Sequence, residues 1–517
     1  MDSLQKTSWN EQLGAIMSRH RTLLDTVAGE ADKPALLSPG GPVVTYGSLF
    51  EQVERLAEYL QRAGIRRGDR VSLVLPNGIE AVIAFLAAAT AATAAPLNPG
   101  YKLDEFRFYI KDTGARALIV PEGGAEVARQ AAGPDTILLE LRLDTDGIVR
   151  LAANSPVAQP RTLQPAREDD VALVLHTSGT TSRPKRVPLK HSNLSVSAEN
   201  IVRAYELTPA DVSLCVMPLF HVHGLVGSTL ATLASGGTVV IPPGFNALSF
   251  WNTADSCRAT WYSAVPSIHQ MLLARAREGV RPPGAARLRF VRSCSSALAP
   301  ATMADLERQI GAPVLEAYGM TEASHQIATN PLPPAGRKAG SVGRGSNVEV
   351  AVMDKAGNLL EAGTHGEVVI RGASVITAYE DNPEADKSSF TSGWFRTGDE
   401  GMIDEDGYIV LIGRIKELIV RGGEKISPRE IDETLSLHPS VSEVATFGVP
   451  HKVYGEDVAA AVALRAPATE AELIAFCRSK LAEFKCPKRI YIVPKIPRTD
   501  TGKIQRRIVR EKVMDQA

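Results

Sequence analysis

Cysteine is scarce and scattered. Cys215, Cys257, Cys294, Cys477 and Cys486 are the only five in 517 residues, and no C-x-x-C pair exists. That spacing offers neither a zinc site nor a disulfide framework and fits a reducing, cytoplasmic setting. An excess of one charge sign is also missing. Lys+Arg 57 against Asp+Glu 58 leaves a formal net charge of -1, which gives no support to nucleic-acid binding or to a basic membrane surface. The N-terminal MDSLQKTSWNEQLG lacks a basic region followed by an apolar core, so it does not read as a secretory signal. The C-terminal MDQA is not a peroxisomal address. Two uncharged runs, Glu80 to Lys102 and Asp211 to Asp255, are long enough to raise a transmembrane question. Pro96 and Pro99 interrupt the first, which reads as a buried Ala helix and a short strand around Ala94–Leu97. Pro218, His221, His223 and Gly236-Gly237 break the second into core helix and strand. A Walker A loop, internal repeats and low-complexity tracts are absent.

What is present is a globular chain too long for one ordinary domain. Tyr46–Ala63 is amphipathic, Arg70–Leu75 and Ala117–Val120 read as strands, and Gly78–Thr90 reads as a helix. This alternation predicts α/β layering, and it resumes with strands near Val212–Met217, Gly237–Ile241 and Arg289–Arg292. Ala153–Asp169 reads as an exposed link. From about Val348 short strands with turn signals predict a barrel-like subdomain. A last block carries strands at Ile415–Val420, Val441–Val449 and Val458–Leu464 and helices at Ser427–Leu437 and Glu470–Leu481. The predicted division is a large domain over 1–413 and a small α+β domain over 414–517.

The chemistry concentrates in five segments. Apolar Val171–Leu175 runs into Thr177, Ser178, Gly179, Thr180, Thr181 and Ser182, with Arg183 and Lys185 behind. Small residues admit backbone N–H groups to phosphate oxygens, hydroxyls add donors and lysine offsets charge. EAYGMTEAS (316–324) places Glu322 after a strand and turn, where a carboxylate can hold Mg2+. GWFRTGDEG (393–401) presents Asp399 in a glycine-bounded turn suited to ribose hydroxyls. GRIKELIVRGGEKISP (413–428) offers Arg414, Lys416 and Gly422-Gly423, and PRTDTGKIQRR (497–507) offers Lys503. Each alone has an ordinary reading: a surface loop, a helix-start glutamate, an Asx turn, a hairpin turn, a solvated basic tail. All five in this order are not coincidence.

Together they resemble the adenylate-forming enzymes of the acyl-CoA synthetase superfamily over nearly the whole chain. HTSGTTSRPK, PLFHVHGL, TWYSAVPSIHQ, RFVRSCSSALAP, EAYGMTEASH and GGEKISPREID look most like the oxalate–CoA ligase group. The resemblance implies a mobile C-terminal lid and two half-reactions: a carboxylate attacks ATP, giving acyl-AMP and pyrophosphate, and the coenzyme A thiol then displaces AMP. By motif, Thr177, Ser178, Gly179, Thr180 and Lys185 would hold phosphates, with Mg2+ on Thr180 and Glu322. Ser295, Glu316, Tyr318, Gly319 and Thr321 would lie on the nucleotide side, and Asp399 and Arg414 would hold the ribose. Lys416 would be the hinge, Gly423 would line the thiol channel, and Lys503 would bridge carboxylate and α-phosphate. The cation suits a step in which two anions must meet. The family usually has glycine after the loop lysine; here Arg186 stands there, to stiffen the loop or touch phosphates.

For the acid, Ser293-Cys294-Ser295-Ser296-Ala297-Leu298 is bulkier than the family's Gly/Ala-rich segment and narrows the pocket. His221, His223 and His325 fall at motifs that face the acid in relatives. His223, His325 and Ser293 or Ser295 are the candidates for holding a second carboxylate, because a buried unpaired anion is costly. Oxalate is the expected acid. Alternatives are a short- or medium-chain fatty acid, an aryl acid, or transfer to a carrier protein or amine. A catalytically silent nucleotide-binding regulator is disfavoured because Glu322 and Lys503 are both present. The expected partners are a small acid, ATP and coenzyme A, with the chain a monomer or homodimer.

Overall fold

A computed structural model describes residues 22–153, 164–177, 184–277, 279–499 and 503–515. Two parallel-cored sheets form the large part of the chain. The seven-stranded sheet runs Val149–Ala153, Ile137–Leu143, Ala115–Pro121, Arg70–Leu73, Thr93–Pro96, Val171–Thr177, Lys185–Lys190. The nine-stranded sheet carries Trp261–Ala264, Phe290–Ser293 and Val314–Met320 side by side and parallel. The helix Tyr46–Arg62 begins where the Thr45 hydroxyl accepts the Ser48 N–H, and it buries Leu49, Val53, Leu56 and Leu60 at helical spacing. It packs beside Ile79–Ala91, which is buried almost all round. That explains the uncharged Ala-rich run: alanine lets a helix sit close between neighbouring elements with no polar face to hydrate. Among the described residues no helix is long and apolar enough to cross a membrane.

The β-rich subdomain is a five-stranded antiparallel sheet built on Glu349–Met353, Gly366–Arg371, Trp394–Ile403, Phe390–Thr391 and Ile409–Arg414. Among the described residues strand pairing leaves it open, because Glu349–Met353 pairs only with Gly366–Arg371 in the sheet. The C-terminal part has its own five-stranded sheet and core, with Ile419, Ile431, Val458, Val462 and Leu473 inside. One expectation is corrected there. Ile415–Val420 is not a continuous strand; Ile415–Glu417 forms a 3-10 turn, closed by Leu418 N–H donating to the Arg414 carbonyl at 3.1 Å, before the strand Ile419–Arg421. Within the expected link, residues 154–163 lie outside the described residues.

The two parts touch through polar groups. Lys425 Nζ meets Glu400 at 3.1 Å, Ser427 Oγ donates to the Ile412 carbonyl at 2.7 Å, and Arg429 Nη1 donates to the Leu411 carbonyl at 2.9 Å. Parallel strands deliver ligand-facing residues at their carboxyl ends. In register, Ser263 lies opposite Arg292, Ala264 opposite Ser293, and Ser293 opposite Glu316.

Candidate active site

On the phosphate side, Val171–Thr177 leads toward Ser178, Gly179 and Thr180, which lie outside the described residues. The chain returns as Lys185–Lys190, with Lys185 opposite Thr177. Strand alternation sends Lys185 and Arg186 to opposite faces. Lys185 Nζ sits 4.3 Å from the Tyr379 ring centroid, and the Tyr379 hydroxyl donates to Glu322 Oε1 at 2.9 Å. Burial pushes the Lys185 ammonium below its ordinary value; Glu322 opposes this and Lys416 adds to it. Glu322 is itself buried, and its second oxygen accepts no hydrogen bond among the described residues. An all-oxygen donor of this kind fits Mg2+ beside phosphate.

Arg186 is engaged by protein groups on its own strand's far face. Its Nη1 donates to the Asp112 carbonyl at 2.6 Å, and the guanidinium pairs with the carboxylates of Asp112, Glu380 and Asp381. Those anions come from separate segments, so the arginine ties the loop's return strand to its neighbours and points away from Lys185.

On the nucleotide side, antiparallel pairing puts Asp399 opposite Arg414. Arg414 Nε meets Asp399 Oδ1 at 2.8 Å, and the Tyr318 hydroxyl donates to Oδ2. Burial pushes the Asp399 carboxyl up, against the opposing pull of Arg414. The hairpin of Val314–Met320 with His325–Thr329 needs Gly319, because a Cβ there would lie 1.9 Å from the His325 carbonyl oxygen. Thr321 and Glu322 occupy its 3-10 turn, after which Ser324 and His325 take φ of 54° and 112°. Positive φ in non-glycine residues is the sort of strain that collects at functional sites. Glu316 accepts the Leu298 N–H at 3.1 Å, and burial lifts its carboxyl to about 7.

On the acid side, His223 opens an eight-residue π-helix, His223–Leu230, a rare geometry frequent at functional sites. Its ring stacks with that of His325 at 5.3 Å. His223 Nε2 lies 2.6 Å from Ser263 Oγ and Nδ1 lies 3.0 Å from Ser295 Oγ. Ser295 has φ of 73°. Ser293 Oγ and His325 Nε2 are buried with no hydrogen-bond partner among the described residues. His221 accepts the His223 N–H at 3.2 Å.

Two expectations change here. Both ring nitrogens of His223 are engaged by serines, so neither is left over to bond an acid directly. The histidines were also expected to gain a proton beside the acid. Burial holds His223 and His325 well below the usual histidine range, with Arg292 adding to the effect, and drives His221 to about 3. These rings are neutral.

Lys503 arrives from the C-terminal part. Its N–H donates to Thr499 Oγ1 at 3.1 Å, and its carbonyl accepts the Thr499 N–H at 2.8 Å. Its ammonium is lowered by burial and then by Arg414, with Glu322 and Asp399 among the groups pulling the other way, and it acts in turn on all three histidines. A 420 Å³ cavity lined by Pro218, Phe220, Arg498 and Thr499 lies beside this junction. Gly423 is not brought to the site by a steric need. A Cβ there would meet nothing within 4 Å, and its φ of +93° accounts for the glycine, in the hairpin turn between Ile419–Arg421 and Glu424–Ile426.

Three site residues escaped the sequence reading. Tyr379 bridges Lys185 and Glu322 from a segment with no motif character. Arg292 sits inside the quoted RFVRSCSSALAP, but a strand arginine gives no sign of burial. Gly227 leaves the space His325 fills, since a Cβ there would lie 2.4 Å from His325 Nε2.

The profile of the AMP-binding enzyme family matches residues 23–380, and that of the AMP-binding enzyme C-terminal domain matches 430–503. An oxalate–CoA ligase of Arabidopsis thaliana is 46% identical over 508 residues, 96% of this chain and 98% of that protein. An oxalate–CoA ligase of Saccharomyces cerevisiae is 45% identical, covering 92% and 89%. A sulfoacetate–CoA ligase of Cupriavidus necator is 38% identical, covering 92% and 94%. Among solved structures, ATP-bound MatB from Rhodopseudomonas palustris superposes with a TM-score of 0.84 at 31% identity, over 96% of this chain and 99% of that one.

Proposed function

Because the chain belongs to the AMP-binding enzyme family, as an acyl-CoA synthetase, we propose that it joins oxalate to coenzyme A through an oxalyl-adenylate. The observation that carries this reading is the convergence of Lys503 with Glu322, Asp399 and Arg414. In the first half-reaction a carboxylate oxygen attacks the α-phosphorus of ATP and pyrophosphate leaves. Two anions must approach, and the Lys503 ammonium lowers that repulsion where the charge gathers. Lys185 and the loop before it hold the leaving phosphates, with Thr177 at its entrance. Glu322, with Thr180, would hold Mg2+, which supplies charge screening on the phosphates. Asp399 accepts from ribose hydroxyls, and Arg414 pairs with it, opposing the upward pull of burial. Glu316, Tyr318, Gly319 and Thr321 build the nucleotide's wall.

In the second half-reaction the thiol sulfur attacks the acyl carbon and AMP leaves. Lys503 must withdraw first, so we place a hinge at Lys416, in the turn where the expected strand breaks, with the lid over 414–517. Oxalate is favoured by the names of the two relatives at 45–46% identity and by the hydroxyls and neutral imidazoles crowded at Ser293, Ser295, His223 and His325.

The test is pyrophosphate release with and without coenzyme A, over oxalate, malonate, acetate, octanoate and benzoate. Oxalate should give the highest kcat/KM, and coenzyme A should be consumed in step with pyrophosphate. Pyrophosphate release without thioester formation would mean that the acceptor is a carrier protein or an amine.

A further inference from the structure

Arg292 is a fully buried guanidinium. Among the described residues no carboxylate lies within ion-pair distance of it. Its partners include no carboxylate: Nε donates to the Tyr205 hydroxyl at 2.8 Å, Nη1 to Ser263 Oγ at 3.0 Å and Nη2 to Gln326 Oε1 at 3.1 Å, and the Cys294 thiol also lies against the guanidinium. A buried cation without a counter-charge is expensive, and buried charges are ordinarily paired. Here the surroundings add no carboxylate. The neighbouring imidazoles, His223 and His325, are held well below the usual histidine range by burial, with Arg292 adding to the effect. The guanidinium is therefore a buried positive charge that no carboxylate among the described residues balances.

The hydrogen bonds leading from Arg292 have a direction. A guanidinium only donates, so Ser263 Oγ accepts from it, and the Ser263 hydrogen is free for His223 Nε2 at 2.6 Å. A neutral imidazole that accepts at Nε2 carries its hydrogen on Nδ1, which then donates to Ser295 Oγ at 3.0 Å. Ser295 has no other partner among the described residues, so its own hydrogen is left to point at a ligand oxygen. The strained backbone at Ser295 holds the hydroxyl in that place.

We infer that Arg292 is the residue that fits this site to an acid carrying a second negative charge, balancing that charge across a short distance and, through Ser263 and His223, turning the Ser295 hydroxyl into a donor. The inference rests on the reading of the protein as an acid–CoA ligase and names what selects the acid. Arg292 is a positioning residue: it acts through its neighbours.

The experiment compares oxalate with glycolate, which has nearly the same size but lacks the second charge. The quantity read is the ratio of kcat/KM for the two acids, with ATP KM measured alongside. In Arg292→Met the ratio should fall roughly 10- to 100-fold, mostly through KM for oxalate, with ATP KM unchanged. Arg292→Lys should recover part of the ratio, because charge is restored without the fork. Ser263→Ala keeps the cation but breaks the chain, and it should lower the ratio by less than Arg292→Met. This variant also serves if Arg292→Met fails to fold. A ratio unchanged in both Arg292→Met and Ser263→Ala, or equal loss of both acids, would overturn the role of Arg292 while leaving acid–CoA ligation intact. A wild type that turns over glycolate in preference to oxalate, with the ratio still falling in the variants, would reject oxalate as the substrate and keep Arg292 as the charge selector. A wild type active with neither acid would overturn both.

Discussion

At the scale of single residues, the site works by placing charge where a reaction needs it. Lys503→Ala should reduce adenylation by about 100-fold or more, since a positioned donor at developing charge is worth that much. Chemically made acyl-AMP should still be converted to thioester by the same variant. Equal loss of both half-reactions in a folded protein would remove Lys503 from its assigned role. Gly227→Ala makes a sharper point. In a helix the change alone would stabilise by about 0.5–1 kcal/mol, but the new Cβ would meet His325 Nε2 at 2.4 Å. The variant should keep its thermal stability within a few degrees while kcat/KM for the acid falls at least tenfold. Parallel thermal unfolding and pyrophosphate assays check it. Lys185, Glu322, Asp399 and Lys503 were legible in the sequence because their motifs carry a fixed chemistry. Arg292, Tyr379 and Gly227 were not. Their meaning lies in what they touch at sequence separations of 29 to 194 residues, and local pattern does not report that.

At the scale of elements, most boundaries followed from period and punctuation. The Tyr46–Arg62 helix, the buried Ala helix and the strands at Arg70–Leu73, Ala115–Pro121, Val171–Thr177 and Phe290–Ser293 came out within a few residues of expectation, whereas Ile137–Leu143, Val149–Ala153 and Trp261–Ala264 were not among the expected strands. Two further exceptions have physical causes. Ile415–Val420 has strand composition, but its first half is spent on a turn that redirects the chain. The π-helix at His223–Leu230 has no sequence signature, because it is fixed by tertiary packing around two glycines, Gly224 and Gly227. The turn at Lys416 yields its own prediction. Lys416→Pro fixes φ and removes a donor at the hinge. It should leave acyl-AMP formation within a fewfold of wild type and suppress thioester formation by about 100-fold, a split expected when one of two lid positions is lost. Single-turnover assays of each half-reaction measure it; normal overall turnover would put the hinge elsewhere.

At the scale of the molecule, buried histidines set the acid limit. Burial lowers His191 to about 4 and His221 and His269 to about 3. These rings stay neutral in the folded state but take up protons near 6.5 when unfolded, so stability is full above 6.5 and is lost as pH falls toward 4. Glu316 runs the other way: its folded carboxyl is raised to about 7, so between about 4.5 and 7 it favours the folded state as pH falls. His223 and His325, held well below the usual range by burial, pull the same way, so the histidines outweigh the glutamate by at least roughly 2–3 kcal/mol per pH unit near pH 5.5. Tm should drop steeply between pH 6.5 and 5, and a flat profile would show that these rings titrate freely. The whole chain's purpose is tested by one competition. The enzyme is given ATP, magnesium, coenzyme A and equal concentrations of oxalate, malonate, acetate and octanoate, and the coenzyme A thioesters are quantified by mass. Early product ratios are then ratios of kcat/KM. Oxalyl-CoA should dominate; a mixture led by octanoyl-CoA or acetyl-CoA would contradict the account.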